Sequence, residues 1–458
     1  MDDSDEEGDR KPTVDELLAK AKKPGEDALI LHPFYRGKIE VTLKAPVRDF
    51  NDFAIWYTPG VAEPCRLIQK EPEQVYNQTN KWNTIAVVSD GTRVLGLGDI
   101  GPEAGLPVME GKSLLFKYLG GVDAFPLCLA TKDPDEIIQC TKWLEPSLGG
   151  INLEDISHPK CFYILDKLRK EMNIPVWHDD QQGTETISVA GTINSMKIVG
   201  KKLDEVLISM VGAGAANIAT SRVLIAAGVP IKNIIMSDSK GILEPGRKDI
   251  EEKKDWFVDK WKMCVESNGE GRTGSVADAM KDTDLCIAAS KPGPGTIKPE
   301  WVTAMATDPV IFPEANPVPE IWPWEAKEAG AVIIATGRSD FPNQVNNSLG
   351  FPGIFRGTLD VNASTITDEM CIAAAYEIAK TAEDHGIHKE YIVPTMDQWE
   401  VFPREATAVA MKAIEQGVAR KKLSRQEIFE KAEFMIGRAR KQTEAMMANK
   451  DFIPPAPV

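Results

Sequence analysis

The amino-acid sequence predicts an α/β protein whose parallel strands are covered by helices on both faces. The clearest observation is the stretch 203–241, where the apolar runs "VLISMV" and "IIM" bracket an alanine-rich helix. Further strand-like runs follow it, and each ends in small or polar residues: "DLCIAAS", "PVIFPEA" and "AVIIATG". From about Asn347 onward the pattern is mostly helical.

The first part of the chain shows the same alternation. "TIAVVSD" (84–90) predicts a buried strand followed by a turn, and "GKSLLFKYLGGV" (111–122) predicts a helix that ends at a glycine pair. Lys112 would then lie at the start of this helix. After Asp180, apolar residues fall nearly all round a helical wheel, which predicts a buried helix. Residues 1–25 are expected to form an acidic N-terminal tail that includes one short helix.

Composition narrows the classes of function. A chain of 458 residues is too long for one compact core, so roughly two or three domains are expected. The net charge of −16 argues against nucleic acid and against anionic membrane surfaces as partners. Seven cysteines without a CxxC pair, and no secretory signal, favour reduced thiols in the cytoplasm. No apolar run approaches the length of a bilayer span.

The run "MVGAGAAN" indicates a nucleotide site at a strand-to-helix turn. Gly212 permits the tight turn, and Gly214 lets the backbone approach a pyrophosphate at the helix N-terminus. Ala215 and Ala216 keep the helix slim, but Asn217 stands where the G-x-G-x-x-G pattern has its third glycine. The alternative is a tight turn that binds no ligand.

Asp238 ends the next strand, where an acidic side chain would meet the adenosine ribose of NAD or NADP. Ser239 and Lys240 follow it and could accommodate a 2′-phosphate, which slightly favours NADP. A solvated charged loop would show the same residues.

Three carboxylates are candidates for a metal site. Glu154 and Asp155 follow an apolar run, and Asp179 and Asp180 follow another in "IPVWHDDQQGTETI". Glu154, Asp155 and Asp180 together suit Mg²⁺ or Mn²⁺, which prefer oxygen ligands. Exposed acidic turns look the same in sequence, so the spacing alone leaves both possibilities open.

Other polar residues have two possible interpretations each. Lys112 could be a desolvated base or an ordinary solvated lysine. Tyr57 precedes a Thr-Pro-Gly turn, and a buried tyrosine is more often a core residue than a functional one. Arg93 lies in a glycine-rich loop, while Asn316 and Asn347 follow strand-like runs, at the edge where open α/β sheets bind ligands.

Eight stretches in order resemble the malic enzyme family, specifically its shorter, bacterial-type members. They are "YTPGVAEPC", "VSDGTRVLGLGDIGPEAGLPVMEGK", "NLEDI", "HDDQQGT", "VGAGAAN", "SDSKG", "PEANP" and "VNNSLGFPG". The segment "AASKPGPGTIKPEWV" departs from the shorter pattern typical of the family.

The resemblance implies a role for each matching residue. Glu154, Asp155 and Asp180 would bind the metal, Lys112 would be the general base, Tyr57 the general acid, and Asp179 the support of Lys112. Arg93 and Asn347 would hold the malate carboxylate, with Asn316 near both substrate and nucleotide. The nucleotide would bind at Gly212, Gly214, Ala215, Ala216, Asn217, Asp238 and Ser239. His178 is expected to be structural.

The implied fold is two Rossmann-like parallel-sheet domains around a cleft, with a helical C-terminal segment. The substrate and metal domain would comprise 26–179 plus 347–458, and the NAD(P)-binding domain 180–346. The implied reaction is metal-dependent oxidative decarboxylation of L-malate to pyruvate and CO₂ by a homodimer. The alternatives are a 2-hydroxyacid dehydrogenase without decarboxylation and a non-catalytic nucleotide-binding protein of the same fold.

Overall fold

A computed structural model describes residues 14–316 and 318–457 of the chain. By contacts, the chain divides into two compact units. One is Leu43–Lys441, and the other combines the described residues up to Thr42 with those from Gln442 onward. In the smaller unit, the Tyr35 hydroxyl donates a hydrogen bond to the backbone oxygen of Pro454, at 2.9 Å.

The larger unit contains two sheets. The strands described in them are β1 Thr84–Ser89, β2 Asp123–Cys128, β3 Gly150–Leu153, β4 Val176–His178, β5 Ile208–Val211, β6 Ile234–Asp238, β7 Gly241–Ile242, β8 Leu285–Ala288, β9 Val310–Pro313 and β10 Ile333–Ile334. The first sheet has the order β2-β1-β3-β4, and the second has the order β10-β9-β8-β5-β6-β7. All pairs are parallel except β6–β7. The predicted α/β class is confirmed.

Helices cover both sheets and make up most of the C-terminal part. They are α1 Val14–Tyr35, α2 Phe50–Trp56, α3 Ala62–Lys70, α4 Val75–Gln78, α5 Pro102–Gly120, α6 Pro134–Leu144, α7 Lys160–Glu171, α8 Thr184–Val199, α9 Ala215–Ala226, α10 Lys248–Glu251, α11 Val258–Glu266, α12 Val276–Met280, α13 Pro299–Thr303, α14 Pro323–Glu328, α15 Phe351–Asp360, α16 Asp368–His385, α17 Val401–Glu415 and α18 Arg425–Ala448. Within the described ranges, no helix combines the length and apolarity that a membrane span requires.

The strands are buried as their apolar runs predict. Every residue of β3, β5, β8 and β9 is buried, as expected for parallel strands covered on both faces. Helix α8 is buried without interruption from Glu185 to Met196. The all-round apolar pattern of this helix therefore predicted its burial correctly.

The short helix expected within residues 1–25 is the beginning of helix α1, which extends to Tyr35, while residues 1–13 lie outside the described part. One expectation about local structure was wrong. Helix α5 begins at Pro102, so Lys112 lies in its middle and not at its start. Pro102 suits a first helical turn, where its missing N–H has no partner to lose. Gly105, Pro107 and Gly111 within the helix made its first half look like a loop.

Candidate active site

The metal-site carboxylates converge because of strand register. Strands β3 and β4 are parallel neighbours in which Leu153 pairs with His178. The residues after these two positions, Glu154-Asp155 and Asp179-Asp180, therefore leave the sheet side by side at its carboxyl edge. One oxygen from each of Glu154, Asp155 and Asp180 lies within 4.8 Å of the others.

Backbone geometry turns Asp155 toward this cluster. Asp155 has a positive φ of 54°, which is uncommon outside glycine, asparagine and aspartate. Its backbone N–H donates to Asp180 Oδ2 at 3.0 Å. The turn places both acids of the Glu154-Asp155 pair at one point, whereas a regular strand would send them to opposite faces.

Electrostatics make the cluster a good match for a hard cation. Burial, reinforced by neighbouring negative charges, raises the pKa of Glu154 well above its usual value and that of Asp155 to about 8. Burial also raises the pKa of Asp180. Asp155 Oδ2 is buried and has no hydrogen-bond partner among the described residues. A divalent ion would satisfy that oxygen and relieve the repulsion, so these residues fit Mg²⁺ or Mn²⁺.

Burial lowers the pKa of His178, which precedes Asp179, to about 4, so its ring is neutral. Both ring nitrogens are buried, and neither has a hydrogen-bond partner in the part of the chain that the structure describes.

Lys112 projects from α5 into the same cluster. Its Nζ lies 2.6 Å from Asp179 Oδ2 and 3.1 Å from Glu154 Oε1. It also lies 4.3 Å from the centroid of the Phe351 ring, which shields it from water. Burial alone would lower the pKa of Lys112, but the charges of Asp179 and Glu154 outweigh burial and raise it. The side chain is therefore a buried ammonium, not a solvated one.

Asp179 holds three segments of the chain together. Its Oδ2 accepts hydrogen bonds from Lys112 Nζ and from the side-chain amide of Asn347, and its Oδ1 lies 3.3 Å from Trp177 Nε1. Asp179 also begins a turn of π-helix, Asp179–Gly183, that leads into α8. The two adjacent aspartates thus separate, with Asp180 in the carboxylate cluster and Asp179 against the lysine.

Arg93 lies on the loop between β1 and α5. Its backbone N–H donates to the Asp155 carbonyl at 2.9 Å, while its exposed guanidinium is close enough to oppose the burial that raises the pKa of Asp180. The loop is tied down by Asp90, which accepts from the Thr92 backbone and hydroxyl and pairs with Lys160 Nζ. The predicted Arg93 therefore lies at the open side of the cluster.

Two further predicted residues, Tyr57 and Asn316, are exposed. Tyr57 follows α2, its side chain is 73% exposed, and within the described residues its hydroxyl makes no hydrogen bond, so the core interpretation is wrong. Asn316 is exposed, and its amide lies 3.5 Å from the Glu314 carbonyl.

The turn between β5 and α9 has the geometry of a nucleotide site. Gly212 has a φ of 101°, and a Cβ there would lie 2.5 Å from the Ala289 carbonyl oxygen. Within residues 14–316 and 318–457, a Cβ at Gly214 would meet nothing within 4 Å, and no side chain caps the start of α9. Free backbone N–H groups at this helix start, next to open space, fit a pyrophosphate.

Asn217, which stands in place of the third glycine, holds the helix close to the strand through its side chain. Its side-chain amide donates to the carbonyls of Val211 and Gly212, each at 2.9 Å. These bonds fix the helix to the strand end, so the departure from the glycine pattern does not loosen the turn.

Two sequence models of one family match the chain consecutively. Residues 36–169 match "Malic enzyme, N-terminal domain", and residues 181–416 match "Malic enzyme, NAD binding domain". The protein belongs to the malic enzyme family. The junction between the two matches falls at Asp179-Asp180, where the carboxylate cluster meets the π-helical turn.

Individual malic enzymes resemble the chain over most of its length. It is 48% identical to the NAD-dependent malic enzyme of Geobacillus stearothermophilus, over 84% of this chain and 78% of that protein. It is 45% identical to the NADP-dependent malic enzyme of Haemophilus influenzae, over 86% of this chain but only 53% of that longer protein. The crystal structure of Entamoeba histolytica malic enzyme superposes with a TM-score of 0.93 at 45% identity, covering 97% of this chain and 93% of that one.

Several residues around the cluster of this malic enzyme were not found from the sequence. Gly183 is one, because a Cβ there would lie 2.4 Å from Asp179 Oδ1 and 3.0 Å from Asn347 Cβ. Trp177, Phe351 and Lys160 are others. The motifs "HDDQQGT" and "GFPG" include two of these four residues, Gly183 and Phe351, so a signal was present for these two. The contacts of all four are long-range and have no local pattern.

Proposed function

We propose that this malic enzyme catalyses the metal-dependent oxidative decarboxylation of L-malate to pyruvate and CO₂ at the carboxylate cluster, with reduction of NAD⁺ or NADP⁺. The observation that supports it most directly is the juxtaposition of three converging carboxylates with a buried Lys112–Asp179 pair. A simple hydroxyacid dehydrogenase would have no need for three acids that converge at one point, two of them buried and Asp180 partly exposed.

Glu154, Asp155 and Asp180 are proposed to hold Mg²⁺ or Mn²⁺. A bound ion supplies Lewis-acid polarisation of the oxygens of the substrate. The unpartnered Asp155 Oδ2 and the raised pKa values of the cluster support this assignment. An all-oxygen set also suits these hard cations better than a set that includes His178.

Lys112 is proposed to take the proton of the C2 hydroxyl while hydride leaves C2 for the nicotinamide. Asp179 would orient its Nζ and balance its charge. To accept a proton, Lys112 must first lose one, and both Asp179 and Glu154 oppose this. A divalent ion held by Glu154 would offset one of these two negative charges and would so lower the pKa of Lys112.

Arg93 and Asn347 are proposed to hold the malate carboxylates, with Asn316 nearby. Arg93 presents an exposed cation beside Asp180, and Asn347 already bonds to Asp179. Once the carboxyl group on C3 has left as CO₂, Tyr57 is proposed to protonate C3 and so complete pyruvate.

We also propose that the enzyme is a homodimer that covers the segment 43–61. Leu43, Phe50, Phe53 and Trp56 are all at least 49% exposed there, together with Tyr57. Contiguous exposed apolar side chains of this size mark interaction surfaces. Sedimentation should show a dimer that Phe50→Glu dissociates, while Phe434→Glu, at another exposed phenylalanine, leaves it intact. A monomeric parent protein would refute the proposal.

Within the unit 43–441, we propose a substrate domain of residues up to 179 and from 347 onward, and a nucleotide domain of 180–346. The four-stranded sheet ends at His178 and the six-stranded sheet lies within 208–334, which supports this division. We place the enzyme in the cytoplasm, because all seven cysteines are free thiols.

The decisive experiment is a spectrophotometric assay with L-malate, either nucleotide, and Mn²⁺ or EDTA. We expect reduced nucleotide, pyruvate and CO₂ in equal amounts with Mn²⁺ and none with EDTA. Malate oxidation that persists in EDTA and accumulates oxaloacetate would establish a dehydrogenase without decarboxylation. Nucleotide binding without turnover under any condition would establish a non-catalytic protein.

A further inference from the structure

We infer that the enzyme selects NADP over NAD, because the acid that should receive the adenosine ribose is already fully occupied. Asp238 ends β6, and both of its carboxylate oxygens are bound by cationic or backbone donors. The 2′-phosphate would be received beside it by Lys260 and by the exposed turn residues Ser239 and Lys240.

The occupation of Asp238 is complete. Oδ1 accepts from Arg247 Nη1 at 3.0 Å and from the Lys240 backbone N–H at 2.9 Å. Oδ2 accepts from Arg247 Nη2 at 2.9 Å and from Lys260 Nζ at 2.7 Å. An ionised carboxylate has about four lone-pair positions, and four donors fill them here. Although burial opposes it, these hydrogen bonds lower the pKa of Asp238, so it stays ionised.

Because the lone pairs of Asp238 are occupied, the binding of NAD through its adenosine ribose is disfavoured. An NAD-binding acid must accept hydrogen bonds from the ribose hydroxyls, which requires free lone pairs. At Asp238 a neutral hydroxyl would have to displace a charge-assisted bond from Arg247 or Lys260. Charge-assisted bonds are roughly twice as strong as neutral ones, so the exchange is unfavourable.

The charges around Asp238 favour a phosphate. Three cations, Arg247, Lys260 and Lys240, face two anions, Asp238 and Asp249, which leaves one positive charge in excess. The guanidinium of Arg247 donates hydrogen bonds to the two aspartates and to nearby backbone carbonyls. Lys260 instead makes one hydrogen bond, to Asp238, among the described residues, so its ammonium retains donors for a phosphate oxygen.

The inference rests on nucleotide binding at the Gly212–Gly214 turn, and its test measures binding without turnover. Isothermal titration calorimetry of the full chain with 2′,5′-ADP and with 5′-AMP isolates the contribution of the 2′-phosphate. We expect 2′,5′-ADP to bind at least about tenfold more tightly than 5′-AMP, because one charge-assisted hydrogen bond to the 2′-phosphate accounts for a difference of about this size. Equal affinities, tighter binding of 5′-AMP, or no binding of either would overturn the inference, whatever the malate assay shows.

Two lysine variants of α11 test the assigned residue. Lys260→Gln should lower the affinity for 2′,5′-ADP by about tenfold and leave that for 5′-AMP unchanged. Lys262→Gln removes the same charge from an exposed position two residues away and should change neither affinity. If both variants lower the affinity for 2′,5′-ADP equally, the effect comes from long-range charge and not from a contact with Lys260. That result would refute the assignment of Lys260.

Discussion

The ammonium of Lys112 lies 2.6 Å from Asp179 Oδ2, and neither side chain is more than 8% exposed. The two residues are 67 positions apart, one in the middle of α5 and the other at the end of β4. Because Asn347 donates to the same oxygen, the pair also anchors the start of the C-terminal helical part. The malic enzyme thus holds its proposed base at the meeting point of three distant segments.

Lys112→Gln should abolish most malate oxidation while preserving the fold. Glutamine can still donate a hydrogen bond to Asp179 but cannot exchange a proton, so the rate should fall by about 10²–10⁴-fold. Calorimetry should show nucleotide binding unchanged. Lys117→Gln, on the same helix but paired with Asp123 and 40% exposed, is the matched control and should retain activity. Near-normal turnover in Lys112→Gln would exclude this lysine as the base.

The two adjacent aspartates should differ in their effect on metal affinity. Asp180→Asn removes a member of the carboxylate cluster and should weaken Mn²⁺ binding by more than about a hundredfold. Asp179→Asn removes only a supporting group and should weaken it by about tenfold. Electron paramagnetic resonance of free Mn²⁺ measures both affinities. The opposite order would mean that the two roles are exchanged.

Tyr57→Phe should slow the last step more than the first. With the proposed acid removed, protonation of C3 should fall by about 10²-fold or more, while malate-dependent nucleotide reduction in a single turnover changes little. Rapid-quench measurement of pyruvate against reduced nucleotide separates the two steps. Tyr163→Phe, which loses a surface bond to Asp135, controls for removal of a hydroxyl. Unchanged pyruvate formation in Tyr57→Phe would assign the acid to another group.

Glu405→Gln should flatten the pH dependence of stability. Glu405 is fully buried in α17, and neither of its carboxylate oxygens has a hydrogen-bond partner among the residues described. Burial, with a contribution from Glu377, raises its pKa well above 4.5. The unfolded chain ionises this group above about pH 4.5 while the folded chain keeps the proton, so the group lowers stability progressively as pH rises toward its folded pKa. The loss amounts to about 1.4 kcal/mol for each unit by which the pKa is raised.

Urea unfolding at several pH values between 4 and 8 measures this effect. The advantage of Glu405→Gln over the parent protein should grow as pH rises. Glu415→Gln, at an exposed position of the same helix, should follow the parent protein at every pH. A parallel response of Glu405→Gln and the parent would show that Glu405 is ionised in the folded protein.

The residues of the site that follow the ends of strands could be predicted from the sequence. The contacts between distant segments within the site could not. Glu154, Asp155 and Asp180 follow apolar runs, and the parallel register of β3 and β4 brings the ends of these runs together. By contrast, the π-helical turn at Asp179 and the shielding of Lys112 by Phe351 depend on tertiary packing that leaves no local pattern. Arg247 illustrates the same limit, since it lies in a charged stretch that is typical of a solvated loop and yet is largely buried against Asp238.

Position 183, beside Asp179, should not tolerate any residue other than glycine. In a library that samples all twenty amino acids at this position, glycine should be the only one recovered from a screen for growth on malate. Even alanine would place a methyl carbon 2.4 Å from Asp179 Oδ1, well inside van der Waals contact. The residue takes part in no chemistry, yet sequence drift at 183 should be as restricted as at Lys112 itself.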